Sequence, residues 1–199
     1  MSAGNDILMR LFGRPQGFLG RLGGLIMART NRACAEWVLR LLDVQPNDKV
    51  LEAGFGPGVC IELLTGLAKG GYIFGVDVSE DMLAQAARRN RKAIASGHVE
   101  LRRGSAASLP FANNSFDRAL AINSMQVWPD ALAGLREIRR VLRPGGKIAL
   151  GFTPYSGQAN KGLPELLGAA GFSEAHVAEK GKNFCVLAVK PRDGAKGAK

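Results

Sequence analysis

A glycine-rich stretch has the residue types and spacing best suited to binding a ligand. Glycines stand at positions 54, 56 and 58, and the carboxylate of Glu52 precedes them by two residues. Glycine permits a tight turn and lets a ligand approach the backbone closely. A dinucleotide-binding loop needs a small residue at position 59, where this chain has Val59. Because a carboxylate repels a pyrophosphate and attracts a cation, the spacing favours a ligand with an α-ammonium or sulfonium group.

A second carboxylate, Asp77, follows the next apolar run, 19 residues after Gly58. At the end of a parallel strand such a carboxylate can accept hydrogen bonds from both hydroxyls of a ribose. Alone, it would also suit the N-terminal cap of the following helix. Beside the glycine-rich stretch, the ribose contact is the favoured interpretation.

These residues must be positioned by strands and helices that alternate along the chain. Apolar runs predict strands at 49–53, 72–78, 98–102, 116–122, 147–152, 174–179 and 183–190. Helical periodicity predicts helices at 29–42, 58–68, 79–95, 130–142 and 164–170. Ser79 is expected to cap the third helix, and Pro144-Gly145-Gly146 to end the fourth. This alternation is typical of an α/β protein with an open, mostly parallel sheet and helices on both faces.

Several ordered motifs extend along this region. They are VLEAGFGPG (50–58), GVDVSEDML (75–83), LPFANNSFD (109–117) and REIRRVLRPGGKI (136–148), and AAGF (169–172) precedes the last two strands. On these motifs the chain resembles the class I S-adenosylmethionine-dependent methyltransferases over residues 48–190. More narrowly, it is similar to the small-molecule branch that includes the ubiquinone and menaquinone C-methyltransferases.

The resemblance implies a Rossmann-like sheet of seven strands in the order 3-2-1-4-5-7-6, with the last strand antiparallel. It also implies S-adenosyl-L-methionine as cofactor and S-adenosyl-L-homocysteine as product. Glu52 would lie near the cofactor's amino group and Asp77 at its ribose, and Met82 would line the adenine with Val78. The implied cofactor-binding residues are Glu52, Gly54, Phe55, Gly56, Gly58, Asp77, Val78, Met82, Ser105, Ala106 and Asn123.

Two of these positions need comment. Ser105 stands where relatives often have an acidic residue facing the adenine amino group, so its hydroxyl, or backbone groups at Ser105 and Ala106, would have to serve. Asn123, after the fourth strand, would touch the cofactor near the transferred methyl. Because a sulfonium methyl is already activated, the protein chiefly has to align a nucleophile and exclude water.

The acceptor is expected on the side of the fourth and fifth strands. Candidate lining residues are Met125, Gln126, Trp128 and Tyr155. Trp128 is interpreted either as a substrate-facing wall or as the cap of the helix at 130. No general base stands out, and Tyr155 and Asn123 are the candidates for a catalytic role. The chain lacks the (Asp/Asn)-Pro-Pro-(Tyr/Phe) motif of nucleic-acid amino-methyltransferases, which argues against methylation of bases.

The charge of the chain favours anionic partners in general. Among 199 residues, 27 Lys and Arg against 17 Asp and Glu give a net charge of +10. The N-terminal stretch interleaves apolar residues with Arg10, Arg14, Arg21 and Arg29. It predicts either a lid over the cleft or a helix that rests on an anionic membrane. We expect an N-terminal helical lid or substrate segment (1–45), a methyltransferase domain (46–191) and a disordered basic tail (192–199).

Cys34, Cys60 and Cys185 are odd in number and far apart, which predicts buried thiols in a reducing compartment and no metal site. No secretory leader or 18-residue apolar run is found, so we expect a cytoplasmic protein, with peripheral membrane contact as an option. A small-molecule acceptor, such as a quinone precursor, a phospholipid headgroup or a secondary metabolite, is the leading hypothesis. An rRNA, tRNA or protein acceptor and a catalytically silent cofactor-binding regulator remain open, as does the oligomeric state.

Overall fold

The computed structural model of the chain describes residues 32–192. Its helices are α1 (described over 32–42), α2 (Val59–Leu67), α3 (Glu80–Arg89), α4 (Arg91–Ala95), α5 (Ala131–Val141) and α6 (Leu163–Ala169). Its strands are β1 (Lys49–Ala53), β2 (Tyr72–Asp77), β3 (Val99–Arg103), β4 (Phe116–Ile122), β5 (Leu142–Phe152), β6 (Ser173–Lys180) and β7 (Asn183–Val189). Short 3-10 turns at Met125–Val127 and Pro154–Ser156 follow β4 and β5.

A seven-stranded sheet in the order β3-β2-β1-β4-β5-β7-β6 forms the centre of the fold. The first five strands run parallel, and β7 is antiparallel to both β5 and β6. The predicted α/β class, strand order and antiparallel last strand are therefore confirmed. Because the strand order reverses between β1 and β4, a crevice forms at the carboxyl ends of these strands.

Both faces of the sheet are buried under helices. Val50 of β1 shares a core cluster with Leu42 of α1 and Ile61 of α2. Its neighbour Leu51 belongs to the cluster on the other face, with Ile138 of α5. All five side chains are fully buried. Burial on both faces explains why the central strands are continuous apolar runs. The contact of Leu42 with this core also packs α1 onto the sheet.

The helix predicted at 79–95 is divided in two. It begins as expected after Ser79, whose Oγ accepts a hydrogen bond from the Met82 N–H at 3.3 Å. It then breaks at Asn90, which separates α3 from α4. Asn90 is buried, and its Nδ2 donates to the carbonyls of Gly58 and Ala86. The break therefore serves a tertiary contact, because the same side chain ties the end of α3 to the start of α2.

The helix predicted at 130–142 begins after its cap Asp130 and ends at Val141, before the expected stop. Leu142 is already extended and begins β5, so Pro144-Gly145-Gly146 lies within that strand rather than in a helix-ending turn. The Gly145 N–H donates to the Lys190 carbonyl at 2.8 Å, which joins the strand to the end of β7. Leu142 is fully buried, and burial of this side chain in the core outweighs one more residue of helix.

The expectations for residues 1–31 and 193–199, namely the lid or membrane-resting segment and the basic tail, lie outside the described residues. Within residues 32–192, no helix combines the length and the apolar content that crossing a membrane requires. Over the same range, no group of three or more His, Cys, Asp or Glu side chains is arranged to hold a metal ion.

Candidate functional site

A cleft of about 750 Å³ opens at the carboxyl ends of β1 to β4. Its volume is in the range of small-molecule and cofactor sites. The charged residues of its described lining are Glu52, Asp77, Glu80, Asp81, Arg103 and Asp130. With five carboxylates against one guanidinium, the cleft of this basic chain is itself acidic. Such a lining suits a ligand that carries positive charge.

The glycine-rich loop leaves β1 and enters α2 through backbone angles that favour glycine. Gly54, Gly56 and Gly58 have φ angles of 79°, 52° and 77°, in the left-handed region. A Cβ on Gly54 would overlap the Ser124 side chain, and a Cβ on Gly58 would lie 2.7 Å from the Cβ of Ala86. The loop is thus packed closely against its neighbours, and Gly54 and Gly56 present their backbone to the cleft.

The carboxylate of Asp77 joins the end of β2 to the glycine-rich loop. One oxygen accepts a hydrogen bond from the Gly56 N–H at 2.9 Å, and the other accepts from the Ser79 N–H at 2.9 Å. Burial raises the pKa of Asp77, and the backbone hydrogen bonds oppose that rise. Each oxygen retains further lone pairs that could accept from a ligand hydroxyl. Asp77 therefore shapes the loop as well as offering acceptors to the cleft.

Glu52 is the buried carboxyl of the cleft wall, with 2% of its surface exposed. Its Oε2 is fully buried and has no hydrogen-bond partner within the described part of the chain. Burial raises the pKa of Glu52 well above its usual range, and the charge of Asp77 raises it further. The nearby thiol of Cys60 on α2 lowers this pKa and opposes the rise. A cationic donor in the cleft would satisfy the orphaned oxygen.

Two polar side chains at the ends of β3 and β4 already have partners in the protein. The Oγ of Ser105 accepts from the Ala107 N–H at 3.2 Å, which closes the turn after β3. Asn123 exchanges two hydrogen bonds with Thr153: its Nδ2 donates to Oγ1 at 3.0 Å and its Oδ1 accepts from the backbone N–H at 2.8 Å. The Asn123 amide therefore braces β4 against β5 at the edge of the cleft.

Part of the cleft lining consists of apolar side chains from α1, the end of β4 and the turn after it. We call Ala35, Ile122, Val127 and Trp128 the apolar strip, and all four line the cleft. The indole of Trp128 packs where α5 has Gly134, since a Cβ there would lie 2.6 Å from Cε3 of the ring and 3.5 Å from the Cβ of Ala106. The ring is thus packed against Gly134 of α5, and Ala106 of the loop after β3 lies close to the same glycine.

Comparison with known proteins identifies the relatives of this chain. The sequence profile of the methyltransferase domain family matches residues 51–150. The uncharacterized methyltransferase YdaC of Bacillus subtilis is 32% identical over 182 residues, which cover 85% of this chain and 98% of that protein. The chain belongs to the methyltransferase family. This methyltransferase is also 31% identical over 128 residues to a demethylmenaquinone methyltransferase of Bacillus mycoides, covering 64% of this chain and 54% of that protein. A SAM-dependent methyltransferase from Aquifex aeolicus shares the fold, with a TM-score of 0.72, 23% identity, and coverage of 80% of this chain and 93% of that one.

The residues of the cleft fit the cofactor of this family, S-adenosyl-L-methionine. The orphaned Oε2 of Glu52 matches the cofactor's ammonium, and the acidic lining matches its net positive charge. When bound, the cofactor supplies a methyl group already activated on a sulfonium. Asp77 remains the predicted ribose acceptor, and Val78 and Met82 the predicted adenine contacts, all three in the lining.

The structure brings together ten of the eleven predicted cofactor-binding residues. Gly58 is the exception, since it lies behind the loop at the start of α2. Three of the four predicted acceptor residues are placed elsewhere than expected. Met125 is buried in the core at 3% exposure, Gln126 does not line the cleft, and Tyr155 is 77% exposed on the turn after β5. Trp128 lines the cleft and packs on the helix that follows it, but the N-cap of that helix is Asp130, so the interpretation of Trp128 as its cap is wrong and the substrate-facing role stays a prediction.

Other cleft residues were missed by sequence reasoning. They are chiefly Ala35, Cys60, Arg103, Ser124 and Val127. Ser124 and Val127 stand beside predicted positions, and the buried Ser124 donates from Oγ to the Ala53 carbonyl at 2.7 Å. The spacing of the sequence offered no indication of Cys60, because it belongs to the apolar face of α2 and meets Glu52 only in the folded chain.

The motifs REIRRVLRPGGKI (136–148) and LPFANNSFD (109–117) contact each other next to the loop that lines the cleft. Arg140 of α5 donates from Nη2 to the Leu109 carbonyl at 3.0 Å and from Nη1 to the Phe111 carbonyl at 2.7 Å. Glu137 accepts from the Leu109 N–H at 3.0 Å and pairs with Arg140. This pairing lowers the pKa of Glu137. The charged residues of REIRR thus fix the backbone of LPF, and with it the loop that carries Ser105.

Proposed function

We propose that this methyltransferase transfers the methyl group to a small, lipophilic acceptor. The observation that carries the proposal is the apolar strip of Ala35, Ile122, Val127 and Trp128, which lies in the cleft beside Asn123. A large indole and branched aliphatic side chains favour an apolar body over a phosphate backbone or a charged peptide. A quinone precursor, a lipid or an apolar secondary metabolite has this character.

Catalysis in this proposal rests on positioning. The described lining of the cleft contains no histidine, lysine or tyrosine, and the Asn123 amide is engaged by Thr153. The chain therefore has to hold the acceptor in line with the methyl group and keep water away from it. Such positioning supplies about 7–11 kcal/mol of the barrier in well-oriented reactions. An acceptor with an acidic hydroxyl or an activated carbon suits a site of this kind, because it needs no strong base.

The relatives support a lipophilic acceptor. Demethylmenaquinone methyltransferases from several Bacillus species match this chain at 31–32% identity over 128 residues, which is 54% of their length. By name, those proteins act on a quinone precursor. We propose that the same kind of acceptor packs against the apolar strip of this chain.

The N-terminal segment gives the proposal a second part, contact with an anionic membrane. Residues 1–28 contain apolar residues interleaved with Arg10, Arg14 and Arg21, a composition typical of helices at a membrane interface. Flotation with liposomes that contain anionic lipid, compared between the full chain and a chain lacking residues 1–28, tests this part. Equal recovery of both chains at the lipid layer would contradict it.

The acceptor is tested with the full-length protein, radiolabelled S-adenosylmethionine and matched acceptor classes. We would compare quinols with and without an isoprenoid tail, phospholipid vesicles, total RNA and a protein extract. Label should enter the organic phase with the tailed quinol or another apolar acceptor, and an Asp77→Ala variant should abolish the transfer at limiting cofactor.

Label in a polar acceptor class, or in none of the classes, would overturn the proposal. Label in RNA, lost steeply as salt rises, would assign a nucleic-acid acceptor. Label in protein would assign a polypeptide. Cofactor binding without transfer to any class would favour the catalytically silent regulator. Each result contradicts a small lipophilic acceptor.

A further inference from the structure

The glycine-rich loop is held by the protein from two sides. On one side, the Gly56 N–H donates to Asp77 at the end of β2, at 2.9 Å. The second half of the loop, Pro57 and Gly58, lies instead against the end of α3. There the side chain of Asn90 donates to the Gly58 carbonyl at 3.1 Å. The conformation of the loop therefore depends on α3 as well as on the strand beside it.

The carbonyl of Pro57 depends on a side chain for its hydrogen bond. Pro57 is buried and belongs to the lining of the cleft. No backbone N–H among residues 32–192 donates to its carbonyl. The donor is Nε of Arg89, the last residue of α3, at 3.0 Å. A buried carbonyl without a partner costs free energy, so the loss of this bond would favour another conformation of the loop.

The guanidinium of Arg89 is also held by α2. Its Nη1 donates to Oε2 of Glu62 at 3.4 Å, and the same oxygen lies 3.9 Å from Nη1 of Arg32 on α1. The side chains of Arg89 and Glu62 are 31% and 46% exposed, so the ion pair contributes little stability by itself. Its effect is to restrict the orientation of the guanidinium, and this keeps Nε directed at the Pro57 carbonyl.

We propose that Arg89 is a positioning residue for cofactor binding: it holds the Pro57 carbonyl, and with it the second half of the glycine-rich loop, in the conformation that receives the cofactor. Arg89 does not line the cleft and acts only through the loop. Glu62 acts in turn by orienting Arg89. The inference concerns the methyl donor and applies whichever acceptor is used, so it is tested separately from the lipophilic acceptor.

The experiment measures binding of S-adenosylhomocysteine to variants of the full chain by calorimetry, and their stability by urea denaturation. Arg89→Gln removes the guanidinium, and Arg89→Lys keeps the charge. Arg88→Gln is the control for charge, because Arg88 is exposed on the same helix and has no hydrogen bond or ion pair within the described residues. Arg139→Gln is the control for stability. Its Nε donates to the Gly171 carbonyl at 2.7 Å, and neither residue lines the cleft.

We expect Arg89→Gln to weaken S-adenosylhomocysteine by about three- to tenfold, the effect of one hydrogen bond. Arg89→Lys should recover part of this loss. Lysine retains an N–H donor, but it lacks the planar group that faces Pro57 and Glu62 together. Arg139→Gln should lower the midpoint of urea denaturation and leave the affinity unchanged, and Arg88→Gln should change neither.

Two further measurements locate the effect in the loop. Hydrogen exchange of the ligand-free protein, followed by mass spectrometry, should be faster for residues 54–62 in Arg89→Gln than in the wild type, and unchanged there in Arg139→Gln. Glu62→Ala should weaken S-adenosylhomocysteine less than Arg89→Gln does. The double variant should bind as weakly as Arg89→Gln alone, because Glu62 acts only through Arg89.

Several results would overturn the inference. An Arg89→Gln protein with wild-type affinity, or an Arg89→Lys protein that binds no better than Arg89→Gln, would remove the hydrogen bond to Pro57 from the argument. An equal loss of affinity in Arg139→Gln would indicate a general loss of stability. An equal loss in Arg88→Gln would indicate an effect of net charge.

Discussion

Replacing Asp77 with alanine should damage the glycine-rich loop and cofactor binding together. The carboxylate accepts hydrogen bonds from the Gly56 and Ser79 amides, both at 2.9 Å. Hydrogen bonds to a charged group contribute about 1.5–3 kcal/mol each. Burial raises the pKa of Asp77, so the charge is itself costly and offsets part of this gain. We therefore expect Asp77→Ala to lower the free energy of unfolding by about 2 kcal/mol.

Asp77→Ala should also reduce the affinity for the cofactor, beyond the effect of the damaged loop. The variant loses the predicted ribose acceptors as well as the loop contact, and one to two charge-assisted bonds correspond to about tenfold to a few hundredfold in the dissociation constant. Calorimetric titration with S-adenosylhomocysteine and urea denaturation measure the two effects separately. Glu165→Ala, an exposed carboxylate on α6, is the control. An Asp77→Ala protein that binds with wild-type affinity would refute the ribose assignment, and one with wild-type stability would refute the role in the loop.

Three further substitutions test the geometry of the cleft. Gly54→Ala puts a side chain at a φ of 79° and against Ser124, and should lower the free energy of unfolding by more than about 2 kcal/mol. Gly66→Ala, on the open surface of α2, is the control and should raise the free energy of unfolding by about 0.5–1 kcal/mol. Urea denaturation of both variants measures the difference. Because burial raises the pKa of Glu52 in the folded protein, the cofactor-free wild type loses stability as pH rises above the usual carboxyl range, and glutamine removes this dependence. Glu52→Gln should therefore raise the melting temperature, relative to wild type, more at pH 8 than at pH 5. Equal differences in melting temperature at both pH values would contradict this reasoning. Gly134→Ala should displace the indole of Trp128 and weaken binding of the acceptor and the cofactor by about tenfold or less, which titrations with each ligand measure.

The sequence was sufficient for the order of the elements, because helical and strand periodicities are local properties. It was insufficient where a tertiary contact overrides a local preference. Asn90 interrupts a helix whose pattern continues past it, and the reason is a buried amide that reaches the Gly58 carbonyl on another helix. Leu142 leaves α5 early because its side chain enters the core under β5. The residues that Asn90 and Leu142 contact lie far away in the sequence, so the sequence around each of them does not predict where the helix ends.

The candidate site likewise has one part that the sequence predicted and one part that it did not. The glycine loop and Asp77 follow directly from strand ends, and parallel strands bring their ends to one edge whatever the details of packing. The predicted acceptor-lining residues are harder to assign, because they depend on which side of a short turn enters the cleft. Met125 and Val127 are two residues apart on the 3-10 turn after β4, yet the first enters the core and the second lines the cleft. Composition cannot distinguish them, because both are apolar.

The position of Trp128 has a consequence for changing what this enzyme methylates. Its ring belongs to the apolar strip and also packs against Gly134 of α5, and Ala106 of the loop after β3 lies close to the same glycine. With the acceptor against the apolar strip, as proposed above, a selection for bulkier or smaller acceptors would act on this residue first. Because the ring and Ala106, a predicted cofactor-binding residue, both lie beside Gly134, variants with altered acceptor scope should show linked losses of affinity for the methyl donor. Compensating changes would then be expected on α5, far along the chain from either ligand.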